Sequence, residues 1–414
     1  NSDSLFTKLE PSQTGIDFKN EVKNGENMNI FKYRNFYNGG GVAIGDINND
    51  GLADVFLISN QGANKLYLNK GDFKFEDISL QSGIQGKKAW STGVVMVDIN
   101  GDGFLDIYVL DAGSNIDAIR KSQLYINNKN NTFTEKAAEY NLADTGITTH
   151  AAFFDYDKDG DLDCYILNNS FIPVSSLNYS NKREVADILK GGGDKLLRND
   201  DGKFVDVSEA SGIFGSLIGF GLGVTVGDVN GDLYPDIYIS NDFYERDYLY
   251  INNKNGTFSE QIQTWATHIS QASMGADLAD INNDGNADIF TTDMLPEGDE
   301  RLKNTTSFDN YDLLTRKLNM DFFNQYMSNA LHINNGTHFT EIANFAGVSK
   351  TDWSWGALIF DMDNDGYKDI YVCNGIYHDL TNQDFMDFFA NELMQKMVIT
   401  GVKDDVETII AKMP

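Results

Sequence analysis

The sequence predicts an all-β fold built from repeated four-stranded antiparallel units. Three observations carry this. An aspartate-rich loop of nine residues recurs six times, short β-branched and aromatic runs flank every copy, and a second strand–turn–strand motif follows most copies.

The loops begin at residues 46, 98, 155, 228, 280 and 361. Loop positions 1, 3, 5 and 9 are Asp46, Asn48, Asp50 and Asp54 in the first copy and Asp98, Asn100, Asp102 and Asp106 in the second. They are Asp155, Asp157, Asp159 and Asp163 in the third, and Asp228, Asn230, Asp232 and Asp236 in the fourth. The fifth copy has Asp280, Asn282, Asp284 and Asp288, and the sixth Asp361, Asp363, Asp365 and Asp369. These are oxygen donors only, alternating along a tight loop, as a hard cation such as calcium requires. Without a cation, the same pattern would hold mutually repelling carboxylates in contact. All 24 positions are therefore candidate calcium ligands, in up to six sites.

The EF-hand is the first reading to test, and it fails. An EF-hand needs a bidentate Glu at position 12 and a helix on each side. Position 12 here is Leu57, Val109, Ile166, Ile239, Thr291 or Val372, and the flanks are runs such as Gly-Val-Val-Met-Val and Asp-Ile-Tyr-Val-Leu. Tandem nonapeptide loops of a β-helix are excluded as well, because successive copies lie 52 to 81 residues apart. Each loop therefore joins two strands of a hairpin.

The second half of the unit reads Lys65-Leu-Tyr-Leu-Asn69, then an Asn/Gly turn, then Phe73–Ile78. It recurs at 123–135, 195–207, 248–260 and 330–341. Turns of this composition supply the positive φ that tight hairpins need. Strand, metal loop, strand, strand, turn, strand is one four-stranded unit, and such units at this period predict the blades of a β-propeller. The blades are expected over about 36–80, 90–137, 148–208, 219–262, 272–343 and 353–375, the last incomplete, within one domain spanning 1–414.

These loops and hairpins resemble the FG-GAP/VCBS repeat family over residues 5 to about 375. The resemblance implies an integrin-α-type β-propeller, usually of seven blades, with calcium in its loops. Phe36–Asp46 and Thr351–Leu358 look like segments of large VCBS-repeat surface lipoproteins of Bacteroidota. That implies an exported protein at the outer membrane surface or outside the cell, its signal removed, attached to a membrane only through a lipid anchor or a partner. Leu233 departs from the family pattern, since Gly is usual at loop position 6, and makes the fourth site the weakest expectation. Gly231 offers that loop another way to relax.

Residues 5–9 followed by Thr14-Gly-Ile16 match the outer strand and exit at Phe75–Ile84, so 5–9 is expected to close the ring as an outer strand. No second half follows the sixth loop. The expectations are a fragment of a seven-bladed parent, a six-bladed ring, or diverged strands within 376–414.

The formal net charge is −30 and the pI about 4.3. The loop ligand positions hold 20 of the 62 acidic residues, so six calcium ions would bring the charge to −18. The remaining acidity argues against nucleic acid or an anionic membrane as a direct partner. No apolar run is long enough to span a bilayer. Cys164 and Cys373 sit three blades apart, too far to bridge, and are expected to be buried thiols.

Strand direction puts all metal loops and short hairpins on one face. The other face carries three long inserts, 168–194, 293–328 and 374–414. Helices are expected at 182–190, 381–400 and 403–412, and as an apolar stripe through 308–328 with Phe308, Tyr311, Leu313, Leu314, Leu318, Phe322, Phe323 and Tyr326. Tyr33, Phe36, Tyr37, Trp90, Trp353 and Trp355 precede inner strands and approach the mouth of the central channel, where they could grip a glycan or peptide or pack blade against blade. His150 stands near them as a core hydrogen-bonder or a partner-face residue. The expected function is a calcium-stabilised, non-catalytic binding propeller at the bacterial cell surface. Its partner would be a protein, glycan or peptide, in a nutrient-uptake or other surface complex. The alternative is a polysaccharide lyase or hydrolase with its site in the channel.

Overall fold

The computed structural model describes residues 5–25, 28–30, 32–84, 90–113, 120–172, 193–306, 310–379 and 381–388. Blade 1 comprises β1 (Val42–Gly45), β2 (Asp54–Leu57), β3 (Lys65–Asn69) and β4 (Phe75–Asp77). Blade 2 comprises β5 (Trp90–Val97), β6 (Asp106–Ala112), β7 (Gln123–Asn127) and β8 (Phe133–Glu135). Blade 3 holds β9 (Ile147–Phe154), β10 (Asp163–Asn169), β11 (Lys195–Asp200) and β12 (Lys203–Asp206). Blade 4 holds β13 (Gly221–Gly227), β14 (Asp236–Asn241), β15 (Tyr248–Asn252) and β16 (Phe258–Glu260).

A two-residue strand, β17 (Ile269–Ser270), precedes blade 5 and pairs in parallel with β20 (Gln325–Tyr326). Blade 5 is β18 (Ala276–Ala279), β19 (Asp288–Thr291), β21 (Ala330–Asn334) and β22 (Phe339–Glu341). Blade 6 has two strands, β23 (Ser354–Phe360) and β24 (Asp369–Asn374). Every blade is antiparallel in sequence order, and the inner strands β1, β5, β9, β13, β18 and β23 pack on one another in turn. The fold is a β-propeller, with five four-stranded blades and one two-stranded blade among the described residues.

The inner strands read as continuous apolar runs because both faces are covered. With side chains alternating, Val94 and Met96 of β5 turn to the core shared with blade 1, and Val95 and Val97 to the core shared with blade 3. The same holds around the ring, where each hydrophobic cluster lies between two neighbouring blades. The outermost faces lack such cover. In blade 1, Val42 is 56% and Ile44 65% exposed, and in blade 6 Leu358 is 53% and Tyr371 42% exposed. Cys373 lies on this bare face and is exposed, whereas Cys164 is buried. The expectation of two buried thiols therefore holds for Cys164 alone.

The expected ring-closing strand at 5–9 does not form a ladder. Among the described residues, blade 6 offers no third strand for it to pair with, and Phe6 approaches that blade with its ring 6.2 Å from that of Tyr371. The helix that follows, α1 (Pro11–Thr14), ends at Gly15 with φ +81°. A Cβ there would meet the Phe75 carbonyl oxygen at 2.5 Å, and Gly212 abuts the Phe258 carbonyl of blade 4 in the same way. Residues 5–15 thus stand against blade 1 as the end of a preceding blade would. The equivalent short helices are α2 (Ser79–Ser82), α3 (Ala137–Tyr140), α4 (Ser208–Ser211) and α5 (Ile262–Trp265).

The insert 293–328 carries α6 (Asp299–Thr305) and α7 (Tyr311–Asn319), and α8 (Ala343–Ala346) follows blade 5. Asn310 caps α7 by accepting from the Leu313 amide at 2.9 Å. The expected stripe through 328 is not one helix. Asp321 and Phe323 take positive φ, Phe322 turns into a small core with Ile218, and Tyr326 lies in β20. Phe308 and the expected helices 182–190 and 403–412 lie outside the described residues, as does most of 381–400. Residues 383–388 of that last segment are helical, and Phe385 packs against the Ile30–Phe36–Trp90 cluster. Arg301 ties the two inserts together, pairing with Asp352 at 2.6 Å and Asp379 at 2.5 Å.

Candidate metal loops and the cavity on the opposite face

All six loops share one geometry. The position-1 carboxylate accepts the amide of position 5 through Oδ1 and that of position 6 through Oδ2, as at Asp46, Asp98 and Asp155. Asp228, Asp280 and Asp361 do the same. Position 4 is left-handed in every copy, from φ +58° at Asn283 to +74° at Gly231, and so is position 6. This explains why positions 4 and 6 favour Gly or Asn. Leu233 adopts φ +70° itself, so the fourth loop keeps the common shape rather than relaxing through Gly231.

Position 9 has a second task. Asp54, Asp106, Asp163, Asp236 and Asp288 are fully buried. Oδ2 of each accepts the amide of loop position 2, while Oδ1 accepts the amide of an asparagine closing the third strand. Those asparagines are Asn69, Asn127, Asn199, Asn252 and Asn334. Asn127 also donates to the Ile47 carbonyl of blade 1, Asn252 to Tyr156 of blade 3 and Asn334 to Val229 of blade 4. The repeated Asn at the end of each Leu-Tyr-Ile-Asn run was the visible signal for this role, and sequence reasoning did not use it.

The donor set fits a cation. In the third loop, acidic oxygens of Asp155, Asp157 and Asp159 lie within 4.8 Å of one another, and in the sixth so do those of Asp361, Asp363 and Asp369. The other four loops have Asn at position 3, which supplies an oxygen without a charge. Asp157 Oδ1 and Asp161 Oδ1 are buried with no hydrogen-bond partner. Burial, with Asp159, Asp157 and Asp155 close by, pushes the Asp161 carboxyl up to about 6. Burial is also the main cause that raises Asp106 and Asp236 to about 6 and Asp163 to about 7. A bound cation would relieve each of these strains.

The opposite face carries a cavity of about 480 Å³. Arg34, Asn35 and Tyr37 reach it from the turn before blade 1, and Asp242, Phe243 and Tyr244 from the end of β14. Blade 5 contributes Met274 and Met294, α7 contributes Leu313 and Arg316, and blade 6 contributes Trp353 and Trp355. Of the aromatic candidates, Tyr37, Trp353 and Trp355 therefore line one space. Tyr33 and Trp90 stand behind it, with Trp90 against Phe36 at 5.0 Å between ring centres. His150 lies elsewhere, on β9, with Nδ1 3.0 Å from the Ala151 carbonyl oxygen. The charged lining residues Arg34, Asp242 and Arg316 were missed, because they come from separate blades and inserts and share no spacing. Burial pushes the Asp242 carboxyl up to about 7.

The sequence profile of the FG-GAP-like repeat matches residues 36–109, 113–166, 228–291 and 316–372, well over half of the chain. The chain belongs to the FG-GAP repeat family. Such repeats often bind calcium and serve in binding or adhesion. Cartilage acidic protein 1 of Xenopus tropicalis is 40% identical over 74 residues, 18% of this chain and 11% of that protein. The human protein of the same name is 36% identical over 72 residues, again 11% of its length. The matched stretch thus spans about a tenth of these relatives. Among solved structures, the Vibrio cholerae biofilm matrix protein Bap1 aligns over 73% of this chain and 38% of its own, at 13% identity and a TM-score of 0.36. A mutant of AofleA from Arthrobotrys oligospora aligns over 72% and 70%, at 12% identity and a TM-score of 0.40. No described helix is long and apolar enough to cross a membrane.

Proposed function

We propose that this chain is a calcium-stabilised, non-catalytic recognition propeller whose ligand enters the cavity on the insert face. The observation that carries this reading is the division of labour between the two faces. The metal loops staple strands and blades, and a cavity lined by Tyr37, Trp353 and Trp355 opens on the other side. The six loops hold calcium through the residues at positions 1, 3, 5 and 9. Sites of this kind fill at the calcium concentrations found outside cells. That supports an exported protein at the bacterial outer surface, held there by a lipid anchor or a partner. The ligand is a glycan, peptide or protein of a surface complex.

The enzyme reading has one observation in its favour, the Asp242 carboxyl raised to about 7 beside Arg34. A hydrolase needs a second carboxylate facing the same bond. The nearby Asp293 is fully buried, with Oδ2 accepting from Ser270, Gln271, Ala272 and Ser328. Glycan-array binding by wild type and the Trp355→Ala variant, with metal analysis of both, tests the recognition reading. Loss of binding at unchanged calcium content supports it. Binding that survives Trp355→Ala, or chain cleavage of a polysaccharide abolished by Asp242→Asn, would overturn it.

A further inference from the structure

The cavity inverts the charge of its surroundings. The chain as a whole carries a formal −30, yet the charged residues lining the cavity are Arg34, Arg316 and Asp242. Arg34 sits in the 3₁₀ turn Arg34–Tyr37, is exposed to the cavity, and makes no hydrogen bond or ion pair among the described residues. Protein surrounds it closely enough for desolvation to lower its pKa, with Asp242 the opposing charge. Asp242 forms no ion pair with it among the described residues, and its Oδ1 accepts the Phe243 amide at 2.7 Å. A guanidinium held in a concave, partly desolvated site without a partner favours an anion, and a carboxylate matches its fork best.

Aromatic rings are fixed alongside. Trp355 Nε1 donates to the Gly375 carbonyl at 2.7 Å, which sets its ring. The Trp353 ring lies 6.3 Å away at 30°. Tyr37 is held between Phe36 and Tyr377, with ring centres at 5.1 and 5.7 Å. Such rings bury the apolar face of a flat ligand at little entropic cost. The cavity volume of about 480 Å³ falls within the roughly 300–1,000 Å³ of small-ligand clefts.

We propose that the cavity binds an acidic sugar unit, a uronate of a polysaccharide, with its carboxylate on Arg34 and its ring against Tyr37 and Trp355. This rests on the cavity being the recognition site. The test is calorimetric titration of the whole chain, at 1 mM calcium, with tri-galacturonic acid, its methyl ester and a glutamate-rich hexapeptide. Variants Arg34→Gln, Arg34→Lys and Trp355→Ala are compared after their melting curves show wild-type folding. The acid is expected to bind. The ester, Arg34→Gln and Trp355→Ala are each expected to weaken binding about 10–100-fold, as loss of a charged hydrogen-bonded pair or of a ring contact does. Arg34→Lys is expected to recover part of the loss. Equal binding of acid and ester, or binding unchanged by Arg34→Gln, would overturn the acidic ligand while leaving the cavity as the site. Sugar binding indifferent to Trp355→Ala would overturn the site itself. Binding of the peptide with no sugar bound would overturn the sugar class.

Discussion

Calcium removal is the perturbation that bears hardest on this molecule. Six loops share one hydrogen-bonding pattern, so six sites of similar strength are expected. Binding stabilises the native state by RT ln(1 + [Ca]/Kd) at each site. Extracellular calcium modules bind with Kd of about 10⁻⁴ to 10⁻³ M. At about 1 mM free calcium and Kd of about 0.1 mM, each site contributes about 1.4 kcal/mol and six contribute about 8 kcal/mol. That is comparable with the whole net stability of an ordinary domain, about 5–15 kcal/mol. For 414 residues, an unfolding entropy of about 2.1 cal/mol/K per residue converts this into a fall in Tm of about 10 °C. The assay is thermal unfolding followed by circular dichroism, in 1 mM calcium and in excess EGTA, with magnesium as the control ion. Tm should climb with the logarithm of calcium concentration, and Asp163→Asn should remove about one sixth of the effect. A shift below about 2 °C, or full rescue by magnesium, would refute the assignment of the loops as calcium staples.

Leu233→Gly should stabilise the protein by about 1 kcal/mol, because Leu233 is exposed at φ +70° and touches little that Gly would lose; denaturant unfolding reads this. His332 is fully buried, with neither ring nitrogen partnered, and burial lowers its pKa to about 4 despite the opposing charge of Glu341. The unfolded chain takes up a proton near 6.5 that the native ring refuses, so stability present above about pH 6.5 is lost as pH falls to about 4, by roughly 3 kcal/mol. His332→Leu, following Leu197 at the matching place in blade 3, should flatten that part of the stability profile relative to wild type. Asn252→Ala should cost about 1–3 kcal/mol by leaving the Tyr156 and Pro235 carbonyls without their donor. In the native protein a maleimide should label Cys373 and spare Cys164, whose thiol burial holds well above its usual pKa; mass spectrometry of the labelled chain decides it.

What the sequence made legible was local. A loop ligand is fixed by its neighbours within nine residues, and a blade by four short runs, so the loops, strand flanks and propeller could be read directly. The inserts were less legible. The stripe through 308–328 has helical spacing, but Asp321 and Phe323 turn left-handed and send Phe322 into a separate core. Residues 5–9 copy the pattern of an outer strand, with no third strand among the described residues to receive them. The cavity was least legible. Tyr37, Trp353 and Trp355 could be placed at the channel mouth by counting from the inner strands. Arg34, Asp242 and Arg316 meet only because the ring brings distant segments together.

The asparagine links between blades change how the ring should answer its surroundings. Asn127, Asn252 and Asn334 each join one metal loop to the carbonyl of a neighbouring blade. Filling one loop therefore tightens the backbone that shapes the next. Loops 1 and 2, and loops 3, 4 and 5, are joined in this way, so each of these two sets should fill over a somewhat narrower range of calcium than isolated loops would, at the same total stabilisation. Among the described residues, blade 6 has no third-strand asparagine to take part, so its loop should exchange metal most freely. On leaving calcium-rich surroundings, the molecule would begin to loosen there, on the metal face of its barest blade, before the other blades gave way.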